Sequence, residues 1–215
     1  MRRINWSHHR TVAPADLLDV ADLKDQSRID ETAEDLLLET YLRAAERTVE
    51  TELGIAFLEQ TWVLKLDYFP SWIIKLPTPP LQSVTSIIYV DPNGATQTLA
   101  SGEYIVETSG YGGSDRNPGH VRPTFNGSWP SIRHQPLAVT ITYVAGFADA
   151  ESVPDMVKAA ILLTAAELYE NRERSVAQPF NFQTIPVYES LMGEHRRMWE
   201  PEYCEDYGAG YRHGY

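Results

Sequence analysis

The helix predicted over residues 154–171 constrains the fold most, because Met156 to Tyr169 contain no helix breaker and its first three turns have almost no polar face. Pro154 suits the first turn of a helix, and Asp155 complements the positive end of the helix dipole. A helix that is apolar all round has to be covered on nearly every side. We therefore expect a central core helix that also lies at a subunit boundary, with Ile161, Leu163 and Tyr169 among its contact residues.

Two earlier helices are predicted from hydrophobic spacing. Leucines and valine between residues 15 and 26 recur as on a short amphipathic helix. A longer helix is expected over residues 31–53, with Asp30 as its N-cap and Gly54 as its terminator. Its apolar residues form two adjacent stripes, namely Leu38, Leu42, Ala45 and Val49, and Leu37, Tyr41, Ala44 and Thr48. One stripe is expected to face the core and the other a partner.

From Gln60 the hydrophobic period changes to two, which is typical of half-buried strands. The turn Asp91-Pro92-Asn93-Gly94 predicts that its flanking strands pair antiparallel, because proline and Asn-Gly favour tight turns. The predicted strands are residues 60–66, 72–76, 84–90, 96–99, 104–107 and 137–144. Together they indicate an antiparallel sheet of five to seven strands, and the glycine-rich segment 110–119 is expected to be a mobile loop.

The fold class is therefore α+β, with an N-terminal helical hairpin, a central antiparallel β-sheet region, two C-terminal helices and a non-globular tail. The last helix is predicted over residues 187–199, and residues 200–215 form a tail rich in tyrosine and glycine. We expect one domain over residues 1–199, built from helices in 15–54, a β region in 57–146 and helices in 153–199.

Charge and cysteine content exclude several classes of protein. The chain carries 30 acidic and 18 basic residues, a formal net charge of −12, which argues against tight DNA binding because that depends on Lys and Arg. Cys204 is the only cysteine, so neither an internal disulfide nor a cysteine-based zinc site can form within one copy. The first residues lack the apolar region of a signal peptide, and no apolar run is long enough to span a membrane.

Patterns that carry chemistry are missing from the sequence. The histidines are scattered, and adjacent His8 and His9 are expected to be exposed rather than metal ligands. No Gly-x-Ser-x-Gly elbow occurs, and no lysine follows the glycines near residue 112. We predict no catalytic residue, no metal site and no cofactor. Carbohydrate binding by stacked tryptophans remains an alternative, with Trp62, Trp72 and Trp129 as candidates.

The order of the segments resembles the head-tail connector (head completion adaptor) family of tailed phages and gene transfer agents. The resemblance covers about residues 15–198. The segments that carry it are Leu18 to Leu23, Glu34 to Leu37, Gln60-Thr61-Trp62, Asp67 to Pro70, Ile74 to Pro77, Pro79 to Val84, Ile88 to Gly94, Trp129-Pro130, Ala145-Gly146-Phe147, Val153-Pro154 and Leu168 to Glu173.

This resemblance implies a structural virion protein, assembled in the bacterial cytoplasm, that forms a ring beneath the portal. In this family the ring is usually a dodecamer that joins the portal to the stopper and tail, while DNA passes through its lumen without sequence-specific binding. A stopper or tail-terminator ring is the alternative within virions. A soluble enzyme or a carbohydrate-binding module is the alternative from another class.

Two segments are candidate contacts with other proteins. In the tail, aromatic residues recur every four positions, at Trp199, Tyr203, Tyr207, Tyr211 and Tyr215. Aromatic side chains bring a large contact area with few rotors to freeze, so we expect the tail to dock onto the portal. The loop residues Gly110, Tyr111, Gly112, Gly113 and Gly119 are expected to form a flexible interface loop.

Overall fold

The structure is a computed structural model that describes residues 6–70, 72–109 and 117–171. Its residues form two compact units. Among the described residues, the helical unit comprises residues 14–58 and 147–171, and the sheet unit comprises residues 6–13 together with those of 59–146. The predicted α+β class with antiparallel strands is confirmed. One domain over residues 1–199 stays a prediction.

The first helix of the helical unit, α1 (Val20–Ser27), begins five residues later than predicted. Asp19 caps it, because its side chain accepts hydrogen bonds from the amides of Ala21 and Asp22, and the Asp22 carboxylate accepts from the Asp19 amide. The preceding amides of Leu17 and Leu18 donate to Glu46 instead of continuing the helix. The apolar spacing before residue 20 therefore belongs to a docked segment.

The second helix, α2 (Asp35–Leu53), also begins later than predicted, and Asp30 is not its N-cap. Arg28 adopts the left-handed conformation (φ 55°) at the end of α1, and the Ile29 amide donates to the Lys24 carbonyl at 3.0 Å. The chain reverses direction in the residues that follow, so α2 starts only at Asp35. Gly54 ends α2 as predicted, with φ 68° and its amide 2.9 Å from the Glu50 carbonyl.

The third helix, α3 (Asp155–Glu170), lies where it was predicted, except that Pro154 is the N-cap residue rather than the first helical one. It runs antiparallel to α2, since the Tyr169 hydroxyl donates to Glu34 Oε2 (2.7 Å) near one end and the Phe147 amide donates to the Phe57 carbonyl (3.1 Å) near the other. The buried core that the helices enclose contains Leu23, Leu38, Leu42, Ala45, Val49, Leu53, Val157, Ala160, Ile161 and Ala165.

The sheet unit contains a five-stranded antiparallel sheet with the order β1-β2-β8-β4-β5. Its strands are β1 (Trp6–Val12), β2 (Gln60–Leu66), β4 (Leu81–Val90), β5 (Thr96–Thr98) and β8 (Val139–Ala145), with β3, β6 and β7 in a second sheet. The central strand β8 alternates strictly between buried and half-buried residues, as a period of two requires. In its register with β2, Ile141 faces Leu64 and Tyr143 faces Trp62.

The second sheet has three strands in the order β3-β7-β6, formed by β3 (Ile74–Lys75), β7 (His120–Pro123) and β6 (Tyr104–Glu107). The prediction of one sheet with five to seven strands is therefore wrong, since the described residues form eight strands in two sheets. The strands β1 and β7 were not predicted. β1 lies at a sheet edge and most of its residues are exposed or half-buried, so it has no apolar alternation to reveal it.

Three predicted features lie outside the described residues. They are the helix over residues 187–199, the tail over residues 200–215 and most of the loop over residues 110–119. These remain predictions from the sequence.

Candidate functional site

The two stripes predicted on α2 differ in burial. Leu38, Leu42, Ala45 and Val49 are all buried, so this stripe faces the core as expected. In the second stripe Leu37 and Tyr41 are half-buried, whereas Ala44 and Thr48 are exposed. The inner stripe thus belongs to the core, and the second stripe is available for contacts.

The outer face of α2 is unusual because it carries almost no charge. We define this face as Leu36, Leu37, Thr40, Tyr41, Ala44, Arg47, Thr48 and Thr51. Leu36 is 78% exposed, and Arg47 is the only charged residue in the set. A solvent-facing helix surface is normally rich in charged residues. This face is therefore a candidate contact surface.

The hydroxyls of the three threonines on this face donate hydrogen bonds to the backbone of α2 itself. Thr40, Thr48 and Thr51 each donate to the backbone carbonyl four residues earlier, at 2.9, 2.9 and 2.7 Å. With the hydroxyls bonded to the helix itself, each side chain has a methyl group left to offer a partner. The outer face of α2 is thus more apolar than its residue types indicate.

Charged residues of α2 lie beside this face, where they bind the segment before α1. Arg43 pairs with Asp16 (3.0 Å) and Glu39 (2.7 Å), and hydrogen bonding to Asp16 raises the pKa of its guanidinium. Burial raises the pKa of Glu46, although the amides of Leu17 and Leu18 oppose the shift by donating to its carboxylate. These charges hold the fold together and leave the outer face free of acids.

A second apolar surface lies on α3. We define the α3 stripe as Met156, Ala159 and Leu163, which recur with helical spacing. Met156 is 40% exposed, Ala159 is exposed, and Leu163 is half-buried outside the core cluster. Within one copy the described residues bury only the face around Val157 and Ile161, so the coverage of the other sides by a neighbouring subunit stays a prediction.

The residues that were predicted to mark α3 have different surroundings. Ile161 is fully buried in the core. Tyr169 packs against this core, and its hydroxyl donates a hydrogen bond to Glu34. Leu163 lies on the α3 stripe. The helix therefore combines a core face with a face that is open in the single copy, and its role as a subunit contact stays a prediction.

The predicted interface loop joins β6 to β7, two antiparallel strands of the smaller sheet. Gly110, Tyr111, Gly112 and Gly113 lie outside the described residues. Gly119 is buried and has no room for a side chain, since an added Cβ would lie 2.9 Å from the Glu107 carbonyl and clash with Leu81. Gly119 thus has a packing role at the base of this connection. The tail residues Trp199, Tyr203, Tyr207, Tyr211 and Tyr215 also lie outside the described residues.

Two of the three tryptophans proposed as candidates for carbohydrate binding are stacked on other aromatic rings. Trp62 stacks on His8 at a centroid distance of 4.3 Å, and Trp129 stacks on Phe69 at 4.9 Å. Trp72 is 53% exposed. His8 also contacts the Tyr143 hydroxyl through Nε2 at 2.7 Å, so the expectation of an exposed His8 is wrong. Strand β1 thus places the His8 ring against Trp62.

Chemistry-bearing groups are sparse in the part of the chain that the structure describes. Residues 6–70, 72–109 and 117–171 contain no cluster of three His, Cys, Asp or Glu side chains that could hold a metal ion. Burial lowers the pKa of His120, a residue that is only 7% exposed. Within the same ranges no helix is long and apolar enough to cross a bilayer.

An exposed aromatic residue was not predicted from the sequence. Phe125 is 90% exposed in a tight turn that the Gly127 amide closes by donating to the Thr124 carbonyl at 2.8 Å. The Asn126-Gly127 pair is a turn signal, but nothing in the sequence indicates that the phenylalanine beside it stays in solvent.

Part of the chain matches a known protein family in sequence. Residues 18–97 match the profile of the family described as "Phage gp6-like head-tail connector protein". No curated protein matches the chain significantly in sequence.

Solved structures match over most of the chain. A protein in the virion of a native gene transfer agent particle is 26% identical with a TM-score of 0.71, covering 90% of this chain and 97% of that one. Proteins from the neck of an empty particle, computed with C6 symmetry, and of a native particle, computed with C12 symmetry, are each 24% identical, with TM-scores of 0.69 and 0.68. Each covers 91% of this chain and 97% of its own. These matches confirm the resemblance to the head-tail connector family, in sequence over residues 18–97 and in fold over nine-tenths of the chain.

Proposed function

We propose that this chain is a head-tail connector that forms a ring in the virion neck, between the portal and the stopper or tail. It is a structural component of the particle, as are the connector and neck proteins that it resembles. The observation that carries the proposal is the fold shared over 91% of the chain with proteins from gene transfer agent necks. The C6 and C12 symmetries used for those necks support an oligomeric ring.

The exposed helix faces support assembly. The outer face of α2 and the α3 stripe both place apolar side chains in solvent in the single copy. Exposing such surface costs roughly 25 cal/mol per Å², so contact with another protein is favourable. A ring gives every copy two neighbours that can cover these surfaces.

The net charge of −12 suits a channel for DNA rather than a DNA-binding protein. An acidic lumen repels phosphate, so DNA slides through without being held. We expect no sequence-specific contact with DNA, and we assign no enzymatic activity to the chain.

The tail and the glycine-rich loop are the proposed contacts with other neck proteins. The aromatic residues Trp199 to Tyr215 fasten the ring to the portal by ordering on docking. The loop over residues 110–119 orders only against a neighbouring copy or the next ring, because fixing its glycines is entropically costly.

The experiment that tests this function is co-sedimentation of the purified chain with portal rings and, separately, with tail tubes from the same particle. We expect stable binding to the portal, with the chain in a ring on electron micrographs. Binding to the tail tube alone would contradict the connector assignment and favour a tail-terminator ring.

Deletion of residues 200–215 tests the tail within the same assay. The truncated chain is expected to keep its fold, measured by circular dichroism, and to lose portal binding. A matched variant, with Trp199, Tyr203, Tyr207, Tyr211 and Tyr215 all changed to serine, separates the aromatic side chains from the length of the tail. Normal binding by both variants would refute the tail contact.

A further inference from the structure

We propose that adjacent copies in the ring contact each other through two different helix faces: the outer face of α2 on one copy packs antiparallel on the α3 stripe of the next. This inference rests on the proposed ring function and names the surface through which the ring closes. The occupant of each face is therefore a second copy of this chain.

The first step is the position of the two faces on the helical unit. The helices α2 and α3 bury Leu42, Val49 and Ile161 in one shared core, so their inner faces turn toward each other. Their outer faces consequently point in opposite directions. Two different surfaces on opposite sides of one unit form a head-to-tail contact, which is the kind of contact that generates a closed ring.

The second step is charge. Each copy carries a net charge of −12, so copies repel each other except where acids are absent from both surfaces. The outer face of α2 has no acidic residue, and the α3 stripe has none between Met156 and Leu163, although the exposed Asp155 and Glu167 flank the stripe at its two ends. A surface with few acids suits contact with another copy of this acidic chain, because it limits the repulsion between the two copies.

The third step is helix direction, which ring symmetry restricts. In a twelvefold ring, like that used for the native neck, neighbouring copies differ by one twelfth of a turn. Such a rotation changes the direction of any helix by at most about 30°. Because α2 and α3 are antiparallel within one copy, α2 also runs nearly antiparallel to α3 of the next copy.

An antiparallel arrangement also brings opposite charges together. Arg47 lies toward the C-terminal end of the outer face of α2, and Asp155 lies at the N-terminal end of α3, where its side chain is 99% exposed. With Arg47 beside Asp155, the exposed Ala44 lies against Ala159, and Thr40 lies against Leu163. Small residues at the centre allow the two helices to approach closely.

Cross-linking on assembled rings tests the contact directly. The parent chain carries Cys204→Ser, so that introduced cysteines are the only thiols. We combine Ala44→Cys with Ala159→Cys, assemble the chain on portal rings and add a short bismaleimide. The outer faces of two packed helices lie about 20 Å apart, too far for the reagent to join the cysteines within one copy. We expect a ladder of covalent multimers on a denaturing gel.

The controls separate this inference from the ring itself. Ala44→Cys alone and Ala159→Cys alone should remain monomeric on the gel, and so should Gln26→Cys with Ala159→Cys, because Gln26 lies on the exposed side of α1. Dimers from Ala44→Cys alone would overturn the inference, because the face would then meet its own copy. Rings without a ladder would also overturn it and leave the proposed function standing. Failure of the parent chain to form rings would overturn the function.

Charge rescue gives a second, independent measurement. Ala44→Glu should lower the amount of chain bound per portal at least tenfold, because it places a carboxylate in a contact between two acidic copies. The matched variant Gln26→Glu adds the same charge to the same unit and should bind as the parent does. Combining Ala159→Glu with Ala44→Lys should restore the binding that Ala159→Glu loses. Unchanged binding by Ala44→Glu, or no restoration by the pair, would contradict the contact.

Discussion

The interiors of the two units are built differently. In the helical unit the core is a continuous apolar cluster, and the carboxylate of Glu46 lies at its edge, where backbone amides bind it. In the sheet unit polar groups lie inside: the Tyr143 hydroxyl contacts His8 Nε2 and donates to the Pro77 carbonyl, and Gln60 is 1% exposed. The first interior depends on filled volume, and the second depends on completed hydrogen bonds as well.

This difference predicts which changes each unit tolerates. A packed apolar core loses several kcal/mol when a charge is placed in it, since nothing nearby can solvate that charge. A sheet interior with hydrogen-bonded polar groups loses less free energy of unfolding when one hydroxyl is removed. It loses this free energy even where the substitution leaves the shape of the side chain almost unchanged. The expected effects below run from the largest to the smallest.

Substituting a buried residue of α3 should have the largest effect. Ile161→Asp places a carboxylate in the centre of the helical core, which should cost about 4 kcal/mol or more and prevent stable folding. Leu163→Asp is the matched variant two residues away, on the half-buried α3 stripe, and it should fold with a much smaller loss. Urea denaturation followed by far-UV circular dichroism at a helix-sensitive wavelength measures both, since all three described α-helices lie in this unit. Equal losses would show that both faces of α3 are equally covered within one copy.

Removing one hydroxyl from the sheet interior should have an intermediate effect. Tyr143→Phe keeps the ring but takes away the donor to the Pro77 carbonyl and the partner of His8 Nε2. Leaving buried polar groups unpaired should lower the free energy of unfolding by about 1–3 kcal/mol. Tyr89→Phe, on a half-buried position of β4, is the control and should change stability by less than Tyr143→Phe. Thermal melting measures both, and equal melting temperatures for the two variants would contradict the hydrogen-bonded interior.

The contrast between the units also decides how much of the fold the sequence reveals. The buried stripe of α2 was predicted residue by residue, because Leu38, Leu42, Ala45 and Val49 repeat with the helical period and all of them pack in one core. In the sheet unit, β8 was predicted for the same reason with a period of two. Periodicity is therefore a reliable guide where one face is buried.

Features held by specific polar contacts escaped prediction. β1 is recognised only through its pairing with β2, and the half-buried ring of His8 stacks on Trp62 and Tyr143, residues distant in sequence. The segment before α1 is held by Glu46, which accepts from the amides of Leu17 and Leu18 and lies 29 and 28 residues away in sequence. Half of the outer face of α2 was predicted from the sequence as the second stripe, but the exposure of Ala44 and Thr48 became apparent only in the fold.

Mild acid should destabilise the sheet unit through His120. Burial, with further contributions from Arg122 and Lys75, lowers the pKa of this imidazole below its ordinary value of 6.5, while Glu107 opposes the shift. The unfolded chain therefore binds more protons just below pH 6.5, and the stabilisation present above that pH is lost as the pH falls through the folded pKa. His120→Gln should flatten this part of the stability profile, because it removes the buried imidazole. Parallel profiles for the parent and His120→Gln would contradict the prediction.

The smallest effect is expected at the N-cap of α1, where the helical unit does depend on hydrogen bonds. Asp19 Oδ1 accepts from the amides of Ala21 and Asp22 at 2.7 and 3.2 Å, and this capping replaces partners that an eight-residue helix cannot supply itself. Asp19→Ala should lower the free energy of unfolding by about 1 kcal/mol, and Asp19→Ser should restore most of it. Hydrogen exchange at Ala21 and Asp22 measures the local opening. Unchanged protection in Asp19→Ala would show that packing of Leu23 alone holds α1 in place, as the apolar character of this unit's core would favour.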